Sequence, residues 1–219
     1  MTPQQPIAAE STGPTALDWI QRNTKLIGIG AAIVVVAGAG YWFYLRSGQI
    51  KRANAERQLN QAKQSIAAGN QALAQNDLQR VASRYKGTTA GAQAAMLLAQ
   101  IDYGQGKWAE GLRVLDGYTS QGAAGPNLAA VWSLVGDGHM AQGKAAEAAD
   151  AYRKAADATS MAGEKTMHLA KAGRAFQAAG NAAEARKIWE QLASDPEAPV
   201  RSEAQVRLGE LSVQPAGRS

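Results

Sequence analysis

The 219-residue sequence contains no cysteine. That excludes disulfides, thiolate nucleophiles, cysteine-based zinc sites and an acylated lipoprotein anchor. Aromatics make up only 6% and charged residues 19%, and runs of β-branched residues are few, which argues against a sheet. Alanine and glycine are abundant instead, with 47 and 23 copies, and this composition favours closely packed helices. Charges are also scarce in the balance: 23 basic against 18 acidic residues leave a net +5, too thin and dispersed for a nucleic-acid patch. The mean hydropathy of −0.29 conceals an uneven placement of the apolar residues.

Residues 26–45 read LIGIGAAIVVVAGAGYWFYL, free of charge between Lys25 and Arg46. Twenty helical residues rise about 30 Å, the thickness of the bilayer hydrocarbon, so the stretch is expected to be a single transmembrane helix. A cleaved signal peptide with Ala37-Gly38-Ala39 as its processing site is the rival. The apolar run continues past that point through Tyr41, Trp42, Phe43 and Tyr44, and the preceding tail is long for such a signal. The aromatic cluster suits an interfacial belt, with Trp19 as its counterpart at the other end. Gly28, Ala32 and Ala39 share a face open to another membrane helix, without a strict GxxxG. Arg46, Lys51, Arg52, Arg57 and Lys63 follow the stretch, against Arg22 and Lys25 before it, so basic-residue counting places the C-terminal side in the cytoplasm.

The remainder repeats. Gly69, Gly106, Gly143 and Gly180 recur every 37 residues, in the phrases GNQALAQNDL, GKWAEGLRVL, GKAAEAADAY and GNAAEARKIW. A small residue follows each glycine (Ala74, Gly111, Ala148, Ala185), then a large one (Leu78, Leu115, Tyr152, Trp189). Another small residue precedes it (Ala62, Ala99, Gly136, Gly173). This pattern describes paired helices. The glycine ends the first helix through a left-handed backbone, the two small residues face each other, and the large residue plugs the space beside them. Such units bury their faces only against neighbours, so several are needed.

Trp132, Val135, Gly136, Gly143, Ala148, Tyr152 and Ala155 in the third unit resemble the signature positions of the tetratricopeptide repeat. The fourth unit follows with Leu169, Gly173, Gly180, Ala185, Trp189 and Asp195-Pro196. The second departs from the pattern at Gly111, where alanine is usual, and the first matches least. A 37-residue period exceeds the usual 34, so each inter-repeat turn is expected to be three residues longer. After Pro199, SEAQVRLGELSV reads as a capping helix. The opening helix, about 50–68, follows the membrane stretch with only Ser47-Gly48 between, so either one continuous helix or a hinge at Gly48 is expected.

A tail, one membrane helix and a small solenoid, together with RYKGTTAGAQAAMLLAQIDYGQGKWAEGLRVL at 84–115, resemble the bacterial family of ancillary SecYEG translocon subunits. The resemblance implies a single-pass inner-membrane protein whose solenoid lies in the periplasm. It also implies contact with Sec translocon subunits, periplasmic chaperones or emerging chains, and the family's topology is preferred here over the basic-residue count. A scaffold or assembly factor for another membrane complex, and a cytoplasm-facing regulator, are the alternatives.

No catalytic constellation is present. His139 and His168 lie in different units without metal-ligand partners, and the GxG pairs at Gly28 and Gly136 fall inside expected helices instead of following a strand. The expectation is therefore a non-enzyme without cofactor, metal, small-molecule substrate or nucleic-acid partner. In an array of this kind the first helices line the concave face. By register the protein-binding residues are Leu59, Lys63, Ile66, Met96, Gln100, Tyr103, Ser133, Asp137, Met140, Met167, Arg174 and Gln177, with Met96 and Met140 equally suited to filling core gaps. A clamp for a chaperone's terminal carboxylate is set aside, because only Lys63 and Arg174 of this set are basic. The expected architecture is all-α: a tail over 1–17, a membrane helix with flanks over 18–48, a solenoid of four helix pairs and a cap over 49–213, and a tail over 214–219.

Overall fold

The computed structural model describes residues 24–119 and 127–213. The tails expected over 1–17 and 214–219, and the belt residue Trp19, lie outside them. Every element among the described residues is helical: α1 Thr24–Ala67, α2 Gln71–Arg84, α3 Thr89–Gly104, α4 Trp108–Thr119, α5 Leu128–Ala141, α6 Ala145–Asp157, α7 Ala162–Ala178, α8 Ala182–Ser194 and α9 Arg201–Val213. The chain divides into two units, Met1–Ile50 and Lys51–Ser219.

In the first unit, Ile29, Ile33, Val34, Val35 and Val36 and the aromatics Tyr41–Tyr44 are all exposed. This part of α1 is long and apolar enough to cross a membrane. Ser47 and Gly48 are helical, within the bounds of α1. The Ser47 hydroxyl is taken up locally, donating to the Tyr44 carbonyl at 2.9 Å.

The second unit is a TPR-like α-solenoid. From α2 onward the helices pack against their sequence neighbours, and α3 also packs against α5. The four repeat glycines all adopt left-handed backbone, with φ of 73°, 75°, 73° and 74°. Each first helix ends in the same way. The amide of the residue after the glycine reaches back five residues: Asn70 to Ser65 at 2.9 Å, Lys107 to Asp102 at 2.8 Å, Lys144 to His139 at 2.9 Å and Asn181 to Phe176 at 2.8 Å. These bonds satisfy carbonyls that the helix end would otherwise orphan. Asn70 and Asn181 then cap the second helix, accepting from Leu73 N–H at 3.3 Å and Glu184 N–H at 3.2 Å.

Packing follows the small-and-large pattern: in the second repeat the small residues Ala99 and Gly111 approach each other, and in the third and fourth the small residue of the first helix accommodates the ring of the second. A Cβ at Gly136 would stand 2.5 Å from Tyr152 Cε1, and one at Gly173 would stand 2.8 Å from the Trp189 indole. An aromatic ring resting on bare backbone brings the two helices close without a cavity. The extra length of the period is not one insertion per turn. The turns within units are uniform (68–70, 105–107, 142–144, 179–181), whereas the links between units vary (85–88, 158–161, 195–200) and the first helices differ in length. The cap forms as expected, with α9 burying Ala204 and Leu211.

Candidate protein-binding face

A groove of about 500 Å³ runs between α3, α5 and α7. Its wall residues all belong to these first helices or to the Asn127 cap of α5. α3 supplies Met96 and Gln100, α5 supplies Ser133, Leu134 and Asp137, and α7 supplies Glu164, Met167, His168 and Lys171. A second groove, of about 200 Å³, lies between α1 and α3 and includes Leu59, Lys63 and Gln93.

The floor of the larger groove is a bonded cluster. Lys171 Nζ donates to Ser133 Oγ at 3.0 Å and to the two Asp137 oxygens at 3.0 and 3.3 Å. Tyr152 OH donates to Asp137 at 2.7 Å, and Lys171 sits 5.2 Å from the centroid of the Tyr152 ring. Burial, reinforced by the Asp137 carboxylate, raises the Tyr152 phenol far above its usual range, so it remains a donor. Burial and then the Lys171 charge push His168 below the ordinary imidazole value. Its Nδ1 is buried without a partner. The walls combine flexible thioethers at Met96 and Met167 with amide, carboxylate and imidazole groups. Such a surface suits extended or helical segments better than a rigid small molecule.

The twelve register positions separate by their place along the helix. Met96, Gln100, Ser133, Asp137 and Met167 line the larger groove, and Leu59 and Lys63 line the smaller one. The positions three residues before the repeat glycine do not take part, nor does Arg174, which shares the register of Lys63, Gln100 and Asp137. Tyr103 is buried in the core, 8% exposed, donating to the Leu134 carbonyl at 3.2 Å, with its ring 5.0 Å from that of Trp108. Gln177 accepts from Trp189 Nε1 at 3.0 Å. Arg174 is held by Glu203 of the cap through bonds of 2.7 and 2.6 Å. Ile66 and Met140 are exposed outside both grooves. In the last turns Tyr103 and Gln177 are engaged by neighbouring helices and Ile66 and Met140 face solvent, so the grooves form from the earlier turns. Register does not mark Lys171, His168 and Glu164, which also line the larger groove. They are ordinary polar residues without a spacing of their own, and placing them required the earlier turns of α7.

The solenoid is similar to the crystal structure of a Podosopora anserina protein described as a kinesin light chain with nearly identical TPR-like repeats. The two are 18% identical, with a TM-score of 0.56 over 73% of this chain and 86% of that one. The crystal structure of a point variant of the same protein gives a TM-score of 0.55 at 18% identity, over 73% and 85%. No curated protein matches the sequence. Residues 18–123 and 55–169 match the family described as the tetratricopeptide repeat-like domain, and the chain belongs to that family.

Proposed function

We propose that the chain is a membrane-anchored protein-interaction adaptor ancillary to the Sec translocon. In this reading the apolar part of α1 crosses the bacterial inner membrane once, and the solenoid stands in the periplasm. Its first-helix grooves take segments of translocon subunits, periplasmic chaperones or emerging chains. The observation that carries the adaptor reading is the groove formed wholly by first helices, since repeat solenoids bind partners across such continuous surfaces. The Sec setting is supported by the resemblance over 84–115, and the anchor by the apolar stretch in α1. Full-length protein bearing a photo-crosslinking residue at Gln100 or Met167 is expected to capture Sec subunits or periplasmic chaperones. A residue at Gln191, on α8, is expected to capture neither. Recovery of unrelated proteins only, or equal capture from Gln191, would sink the proposal.

One observation favours a second reading, a cytoplasm-facing regulator: the basic residues after the apolar stretch outnumber those before it. An enzyme reporter fused after Ser219 separates the two. Activity confined to the periplasm removes the regulator, and activity in the cytoplasm removes the export role.

A further inference from the structure

Charged residues of both signs run along the chain, but the excess of positive charge falls in one segment. Residues 51–88, the first helix pair, hold seven basic residues and two acidic ones, a net +5 that equals the net charge of the entire chain. The other residues carry 16 of each sign. Lys51, Arg52, Arg57, Lys63, Arg80, Arg84 and Lys86 are all exposed. Of the two carboxylates, Asp77 is buried and lies 3.5 Å from Arg80, which leaves Glu56 as the single exposed acid. Among the described residues none of the other six cations pairs with a carboxylate. The later units differ: Lys171, Arg174, Lys187 and Arg207 each meet an acidic partner within 3.0 Å. A cluster of unpaired like charges raises the local potential and calls for an anionic surface.

We propose that the first helix pair contacts anionic phospholipid headgroups of the leaflet from which the apolar stretch emerges. This rests on the reading that α1 crosses a membrane. Lys51 and Arg52 follow Leu45 by at most seven residues, about 25 Å of fully extended chain at the most. That tether keeps them within reach of the headgroup layer, where anionic lipids attract basic residues that come within about a Debye length of 8 Å. A single-stranded nucleic acid fits less well, because the exposed aromatics Tyr41–Tyr44, which would have to stack on bases, lie inside the apolar run. The basic residues beyond the stretch then act as a lipid contact on whichever side the solenoid stands.

The absence of cysteine supplies the test. A single fluorophore is attached through Gln79→Cys in the full chain, reconstituted into vesicles of phosphatidylcholine alone or mixed with phosphatidylglycerol, each doped with headgroup-nitroxide lipid. Stronger quenching is expected in the anionic vesicles, together with reversal by high salt. Lys51→Gln/Arg52→Gln/Arg84→Gln/Lys86→Gln should abolish the difference, and Glu56→Gln should enlarge it. Each removed base is expected to weaken the contact about fivefold. Quenching that ignores lipid charge and salt, or that added RNA abolishes in the anionic vesicles, would overturn the proposal. Alkaline carbonate extraction of the same vesicles reads the anchor separately: a chain that is stripped off refutes the membrane reading, whereas one retained with charge-independent quenching refutes the lipid contact alone.

Discussion

The second helix-pair repeat of the solenoid and the two that follow it solve one packing problem in opposite directions. In the third and fourth units the glycine is on the first helix and the ring is on the second, Gly136 under Tyr152 and Gly173 under Trp189. In the second repeat the ring is on the first helix. Tyr103 lies against Gly111 of α4, whose added Cβ would stand 2.5 Å from Tyr103 Cε1 and 3.1 Å from the Ala99 carbonyl. The Tyr103 hydroxyl also abuts Gly138 of α5, in the next unit. The repeat therefore preserves a filled volume between paired helices and leaves free which helix supplies the ring. It also explains Gly111, the position where the sequence departs from the usual alanine: the space of that methyl is occupied by Tyr103.

Substitutions can break or sharpen this contrast. Trp189→Ala should have the largest effect, about 3–5 kcal/mol in chemical denaturation, because a residue with 0% exposure leaves a cavity over Gly173. Gly111→Ala comes next. It restores the residue found in the other units, yet it should cost about 1–3 kcal/mol by overpacking. In a Tyr103→Leu background the same change should become neutral or stabilising, since alanine favours helix over glycine by about 1 kcal/mol; an undiminished cost in that background breaks the comparison. Tyr103→Phe keeps the ring and loses the bond to Leu134, so a loss of about 1 kcal/mol is expected in the same assay.

The smallest effect is expected at the cap. The Arg174 guanidinium, through its hydrogen bonds, holds the Glu203 carboxyl below its usual range. A carboxyl depressed in the folded state contributes fully above its unfolded value of 4.5, and the contribution is lost as pH falls through the folded value. Glu203→Gln should thus lower stability at neutral pH by up to about 1 kcal/mol, given that the pair is partly exposed. The gap to the parent should close in acid melts, and a gap that persists there assigns the effect to packing.

Much of the fold is legible in the sequence, because its signals are local. The 37-residue spacing of Gly69, Gly106, Gly143 and Gly180 marks a backbone need that only the residue itself satisfies cheaply, and all four positions meet it. The apolar stretch of α1 and the capping helix are likewise read from continuous segments. Contacts between helices are less legible. Register places Tyr103 on an open face, but Gly111 and Gly138 create a slot that draws it into the core, and no single helix contains that information. The same limit applies to the groove. Met96, Gln100, Ser133, Asp137 and Met167 follow from periodicity. Lys171 enters through partners 34 and 38 residues away, Asp137 and Ser133, and His168 through the turn beside it.

The central claim is that the face formed by α3, α5 and α7 is where partners bind. Ala130 is exposed on α5 and lines the groove, so Ala130→Trp fills the groove without disturbing the core. Co-purification of the full chain in mild detergent, with a melting curve of the same sample, measures the consequence. Loss of the partner at an unchanged melting temperature is the predicted result, and partner recovery equal to the parent's would contradict it.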